Sequence, residues 1–359
     1  MDETPRLDFS RVSLNMMTGR QTQLTLDTNV VISMIDCCKT DAAADDSTLK
    51  KNGLLEFVNF LRDCNRLNLA YCISPYFALI EMPADQAEVA AQAVEIFPVK
   101  FGLTWTDAEN SLAPDLSKVG RRTKTDRYLG LRDDESVFMS QYYGGLLMLL
   151  LVARDFRESE PFDQFKAFLR LSRAHLDIVS SRIIQIARFV LAPAQVEGTE
   201  LHELWKDIVL NFTQREKPLQ RYPSSFHQMD KAAMNGAHDL VVLDSALVVE
   251  SRGLGGVDAD PWLVTGDRKL ASLVRAIHHV GRDRSEAGKR LERDILAHHG
   301  DYWTKTEIEI AVQQPRMSGK LDLDCLKRQA LAIRALAERN TRISLDLLDS
   351  AVPGTRRSL

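Results

Sequence analysis

The stretch that most limits the fold is Leu24-Thr25-Leu26-Asp27-Thr28-Asn29-Val30-Val31-Ile32, a short β-branched run with one acid where its strand part ends. Apolar and β-branched residues on both sides of Thr25 suit a strand of a parallel sheet covered on both faces. A carboxylate at such a place loses hydration, so Asp27 needs something that compensates it. Two readings are open at this point. Asp27 can be the N-cap of a helix that starts near Val30, or it can be the first acid of a site built at a strand end. The rest of the chain offers three more acids at comparable ends.

The chain has 359 residues, which by the soft prior of about 150 residues per domain suggests two units or one domain with a large insertion. Hydrophobic residues make up 45% and charged residues 27%, the balance of an ordinary globular protein with a sizeable core. The net charge of -4 excludes a globally basic nucleic-acid binder, so any such surface has to be a local patch. The five cysteines, Cys37, Cys38, Cys64, Cys72 and Cys325, are odd in number, lack CxxC spacing and have no histidine placed to complete a zinc site. They read as reduced thiols of a cytoplasmic protein. Met1-Asp2-Glu3-Thr4-Pro5 is acidic and lacks the order of a signal peptide. Leu146 to Ala153, the longest apolar run, is shorter than the roughly 20 residues of a spanning helix, so no membrane role is expected.

Along the chain, residues 1–20 read as an irregular lead-in, and the first strand holds Leu24 to Leu26. A helix is expected from Val30 to Cys37, a polar loop from Lys39 to Asp46, and an amphipathic helix from Gly53 to Cys64. Leu69 to Ser74 reads as a second buried strand, and Tyr76 to Met82 as a short helix that stops before Pro83. Glu81 lies in that helix among Leu79, Ile80 and Met82, either as a surface acid or as a polar group placed there for chemistry. From Ala84 to Asp230 the pattern is long helices without strand signals. Inside it, Arg121, Arg122, Lys124 and Arg127 form a basic segment ending at Tyr128, which is either solvated surface or a track for a phosphate backbone with an aromatic to stack a base.

After Asp230, Asn235-Gly236-Ala237-His238 precedes a helix-spaced run from Asp239 to Val249, with Asp239 expected in its first turn and Asp244 off Asp239's own line. Pro261 to Lys269 then reads as a strand that breaks at Thr265-Gly266-Asp267 and leads into a helix. In open α/β sheets the carboxyl ends of the strands are where ligands bind.

Other chemistries lack their residues. No glycine loop of Rossmann or P-loop type follows any of these strands. Asp27-Thr28-Asn29 lacks the second aspartate of a phosphoryl-aspartate phosphatase, and no serine sits in a Gly-x-Ser-x-Gly elbow. His278-His279 and His298-His299 are adjacent pairs pointing to different faces, without metal-ligand spacing. Carboxylates remain.

Leu26-Asp27-Thr28-Asn29-Val30, Glu81, Asp239-Leu240-Val241-Val242 and Val264-Thr265-Gly266-Asp267-Arg268-Lys269-Leu270 resemble, in that order, the four motifs of PIN-domain nucleases. The resemblance covers residues 22–83 and 231–280. It implies an α/β fold, a PIN-like parallel sheet flanked by helices, with 84–230 as an inserted helical subdomain and 281–359 as a helical C-terminal tail. By the same resemblance, Asp27, Glu81, Asp239 and Asp267 hold one or two Mg²⁺ or Mn²⁺ ions that cut a phosphodiester. Thr28, Asn29, Asp244 and Thr265 stand behind them, and Arg268 and Lys269 join the basic segment as backbone contacts. Hard ions of this kind take oxygen ligands and keep open positions, so a few carboxylates suffice. The implied activity is that of an endoribonuclease, with RNA ahead of single-stranded DNA as substrate. A regulatory protein partner or a second copy of the chain is compatible with it, as are a toxin, a phage-defence effector and an RNA-processing enzyme. The competing class is a PIN-like binding or scaffold protein without catalysis, acting through its helical insertion. The chain departs from the family in the long helical span between Glu81 and Asp239.

Overall fold

The computed structural model describes residues 7–107, 128, 129, 131, 133–214, 222–252, 258–279, 297, 300–312 and 322–339. In chain order the first elements are α1 (Phe9–Met17), β1 (Gln21–Leu26), α2 (Thr28–Cys38), α3 (Asp46–Lys51), α4 (Leu55–Arg66), β2 (Cys72–Ser74), α5 (Tyr76–Glu81), α6 (Ala84–Phe101) and β3 (Thr106–Asp107). They are followed by α7 (Asp133–Asp155), α8 (Pro161–His175), α9 (Ser181–Val190), α10 (Glu200–Thr213), α11 (Phe226–Arg252), β4 (Ala259–Val264), α12 (Arg268–His279), α13 (Gly300–Val312) and α14 (Leu323–Glu338). The protein is mostly helical with a small parallel sheet, a mixed α/β fold. It divides into two compact units, Met1–Asp126 with Val242–Arg268, and Arg127–Val241 with Lys269–Leu359.

The first unit is built on a four-stranded sheet of order β3-β2-β1-β4, with every pairing parallel. β1 is buried along nearly its whole length, as a central parallel strand covered on both faces should be. Its two neighbours are reached in opposite senses: the chain steps outward from β1 to β2 and then β3, and later returns to place β4 on the other side. The carboxyl ends of β1 and β4 therefore meet where the strand order reverses, the place at which open sheets form their ligand crevice. Pro261 in β4 is tolerated because an edge strand has one side without a ladder partner. The core joins Leu24 and Leu26 of β1 and Ile73 of β2 to Val31 and Met34 of α2, Val58 and Leu61 of α4, and Val94 and Phe97 of α6.

Residues 1–20 are not an irregular lead-in where they are described, because α1 is a helix capped by the Asp8 carboxylate on the Arg11 N–H. What fixes it lies far away in sequence. Asp260 of β4, buried, accepts from Arg11 Nε at 2.9 Å, Arg11 Nη2 at 3.1 Å, Asn15 Nδ2 at 2.7 Å and Trp262 Nε1 at 2.8 Å. Burial alone would raise this carboxyl, but the donors outweigh it and hold the carboxyl down at about 2. A depressed acid contributes stability that is present above its unfolded value near 3.9 and is lost as pH falls toward 2. Asp260→Asn is expected to lose on the order of 2 kcal/mol at neutral pH, and to erase that part of the acid-side loss, measured by urea unfolding between pH 2 and 7.

The second unit is helical. α7 packs against α8, α9 and α14, and α9 packs against α10. Gly144 and Gly145 permit the close approach: a Cβ on Gly144 would lie 3.3 Å from the Ala330 Cα in α14, and one on Gly145 would lie 2.8 Å from the Ile183 Cδ1 in α9. Ser136–Asp155 is long and apolar enough to cross a membrane by length and composition, beyond what the shorter run Leu146 to Ala153 suggests. Of its most apolar 18-residue window 83% is buried, as in a core helix of a globular protein. Buried charges here are paired: Arg334 Nη1 donates to Asp230 Oδ1 at 2.8 Å, where the Tyr143 hydroxyl donates as well at 2.5 Å. Cys37, Cys38, Cys64, Cys72 and Cys325 are all free thiols.

Candidate functional site

Asp27 directly follows β1, and its N–H continues the ladder by donating to the Val264 carbonyl at 3.0 Å. This register sets Asp27 beside Thr265, the first residue after β4. The Thr265 hydroxyl donates to Asp27 Oδ2 at 2.7 Å and accepts from the Asp267 N–H at 2.8 Å. Because the incoming N–H occupies the hydroxyl oxygen, its single proton is directed at Asp27. One threonine thus links the Asp27 carboxylate to the backbone of Asp267.

Asp27 occupies the N-cap position of α2, yet its side chain makes no capping hydrogen bond. The carboxylate instead accepts from the Thr265 hydroxyl and, at 3.3 Å, from the side-chain amide of Asn29 in the first turn of α2. Burial raises its pKa, the Thr265 hydrogen bond lowers it, and the charge of Glu81 raises it. Among the described residues no cation pairs with it. Asp27 and Asp260 are therefore opposite cases within one sheet. Asp260 is compensated by an arginine, whereas the hydrogen bonds to the Asp27 side chain come from neutral donors.

Glu81 ends α5, the helix that follows β2, and accepts a short hydrogen bond from the Thr28 hydroxyl. Thr28 is the first residue of α2, so the second acid is tied to the residue next to the first. Asp27, Thr28, Asn29, Glu81, Thr265 and Asp267 all belong to the first unit and gather at the carboxyl ends of β1, β2 and β4. Asp244 is half-buried in the part of α11 that belongs to the same unit, and Arg268 is exposed at the start of α12. A Cβ on Gly266 would meet nothing within 4 Å, so the glycine between Thr265 and Asp267 leaves open space at the crevice.

Asp239 belongs to the second unit. It is not in a first turn: α11 begins at Phe226, which puts Asp239 in the helix interior, half-buried, where Asn211 Nδ2 donates to its Oδ2 at 2.8 Å. Lys269 is half-buried in that unit too. Arg121, Arg122, Lys124 and Arg127 lie outside the described residues. Asn211 had no motif to mark it, and its only signal is a polar residue between Leu210 and Phe212 in an amphipathic helix.

The donors at the strand ends are all oxygen, carboxylates and hydroxyls, the set that suits a hard divalent ion. Among the described residues, no three His, Cys, Asp or Glu side chains lie close enough together to hold a metal ion. Asp27 and Glu81 lie near enough for the charge of Glu81 to act on Asp27. No family model matches the sequence, and no curated protein and no solved structure matches it.

Thr265→Val tests the linking threonine. Losing one hydrogen bond to the Asp27 carboxylate and one acceptor for the Asp267 N–H should cost on the order of 2–4 kcal/mol, read from urea unfolding in EDTA. Since that bond lowers the Asp27 pKa, the variant should also shift any Asp27-dependent pH profile upward. An unchanged profile would detach Thr265 from the site.

Proposed function

We propose that the protein is a metal-dependent nuclease of the PIN type, an endoribonuclease cutting a phosphodiester of RNA. The observation that carries the reading is Asp27: a desolvated strand-end carboxylate at the β1–β4 crevice, oriented by Thr265 and given no cation among the described residues. A capping or structural acid would be arranged as Asp8 or Asp260 is. The four-motif resemblance supplies the rest, and Asp27, Glu81, Asp239 and Asp267 are the residues assigned to hold Mg²⁺ or Mn²⁺.

Bound divalent ions would supply an activated water and charge neutralisation at the leaving oxygen. The chain's own residues do the positioning. Thr265 fixes the Asp27 carboxylate, Thr28 fixes Glu81, and Asn29 limits the rotation of Asp27. The open space at Gly266 lets a substrate backbone come close to the strand ends. Arg268, Lys269 and the basic segment Arg121, Arg122, Lys124 and Arg127 are assigned to phosphate contacts, which bind without reading sequence.

Incubation of the purified chain with end-labelled single-stranded RNA tests this, first with Mn²⁺ and then with Mn²⁺ and excess EDTA. Cleavage that EDTA stops is the expected result. RNA binding without cleavage in either condition would support the scaffold reading, and cleavage of single-stranded DNA alone would correct the substrate.

A further inference from the structure

Tyr128, the aromatic at the end of the basic segment, is not available to stack a base. It is buried, its ring is stacked on Tyr143 with centroids 4.2 Å apart, and its hydroxyl lies 2.5 Å from Ser140 Oγ. The first unit offers another ring. Helix α5 opens on Tyr76-Phe77 directly after Pro75, at the carboxyl end of β2, and closes on Glu81. Phe77 and Glu81 stand one turn apart on the same face, with Cβ atoms about 5–6 Å from each other. Tyr76 is 46% exposed and Phe77 half-buried, and neither belongs to the apolar core that Ala78, Leu79 and Met82 enter. We propose that Tyr76, buttressed by Phe77, is the stacking platform for an unpaired base of single-stranded RNA beside Glu81. The inference rests on the nuclease reading above and deepens it, because it selects an unpaired strand over a duplex.

The two rings meet edge to face, with centroids 5.3 Å apart and planes at 86°. Such a contact covers at most one face of one ring, so Tyr76 keeps a face for a further ring. The turn that carries both aromatics is held from below: Ala78 and Leu79 are buried, and the Leu79 N–H donates to the Pro75 carbonyl at 3.0 Å. A platform fixed before binding loses little entropy when the base arrives. Phe9, another exposed ring of this unit, differs in that it lies flat on Phe60 with centroids 5.2 Å apart, so its stacking partner is already in the fold. Bases inside a duplex are stacked on one another, whereas an unpaired base can be splayed out onto an aromatic side chain.

The test uses the full chain and two labelled probes of one length, an unstructured single-stranded RNA and a blunt RNA duplex. Kd is read in EDTA, where binding is separated from cleavage, and KM and kcat for the single strand are read with Mn²⁺. Tyr76→Leu keeps the bulk of the side chain and removes the π-face. It should raise Kd and KM for the single strand about 5-fold or more, the lower end of what one stacked base contributes, with kcat held. Tyr76→Phe keeps the ring and should stay within about 2-fold of wild type. Duplex affinity and the salt slope should not move in either variant, since no phosphate contact is lost. Should the leucine variant fail to fold, Tyr76→Ala replaces it under the same threshold. A folded Leu or Ala variant with wild-type Kd and KM overturns the platform, and so does an equal loss on the duplex. Wild-type protein that neither binds single-stranded RNA nor cuts it with Mn²⁺ overturns the nuclease reading as well, so the two failures are distinguishable.

Discussion

Asp27→Asn is expected to lower Mn²⁺-dependent RNA cleavage by more than about 100-fold, since even groups behind a metal ligand are worth about 10–100-fold. Asparagine keeps the shape of the side chain, still accepts from the Thr265 hydroxyl through its oxygen, and serves as well as aspartate at an N-cap. Only the charge goes. The stability of the metal-free protein should move the other way. An acid whose folded pKa is raised costs stability above that pKa, the cost fades as pH falls through it, and it is absent below the unfolded value near 3.8. In EDTA at neutral pH the variant should therefore melt at or above the wild-type temperature, with the difference closing as pH falls through the raised value. An inactive variant that is also less stable in EDTA would mean that the carboxylate holds the fold and that activity fell with it. Full activity would return Asp27 to the role of a cap position.

The parts of the fold that could be read from sequence are those whose signal is local. β1, β2 and β4 announce themselves as apolar and β-branched runs, α4 as a helical periodicity, and the span after Ala84 as long helices, because each buries its own pattern. The missed parts draw their stability from distant residues. α1 is short, and Arg11 and Asn15 hold it to Asp260 from the far end of the chain. β3 has two residues, too few to carry any pattern, and exists because β2 offers a parallel edge. Asn235-Gly236 has the composition of a turn but lies inside α11, where a Cβ on residue 236 would be 2.7 Å from the Phe212 Cδ1. There glycine serves close packing, and tertiary contact overrides its poor helix propensity. The same division holds at the site. Asp27, Thr265 and Asp267 were visible as strand-end residues, and β1–β4 register does bring them together. Neither Asn211 nor Asp260 could be recognised, since an asparagine or aspartate takes its role from the partner it meets, and both partners are remote in sequence.

Asp267→Asn is expected to abolish most of the thermal stabilisation that Mn²⁺ gives the wild-type protein. A ligand that binds only the native state adds RT ln(1 + [L]/Kd), about 2.7 kcal/mol at a hundredfold excess over Kd, and a variant whose Kd has risen by that factor keeps only a small part of it. The backbone of Asp267 is not at risk: its N–H donates to the Thr265 hydroxyl, a bond that survives the substitution. Nor is the start of α12, since asparagine caps a helix as well as aspartate does. In EDTA the variant should consequently match wild type. A salt-bridged, structural Asp267 predicts the reverse, with lower stability in EDTA and an unchanged response to Mn²⁺. Melting curves of both proteins, each with EDTA and with Mn²⁺, separate the two outcomes, and a variant that is destabilised yet fully metal-responsive would remove Asp267 from the ligand set.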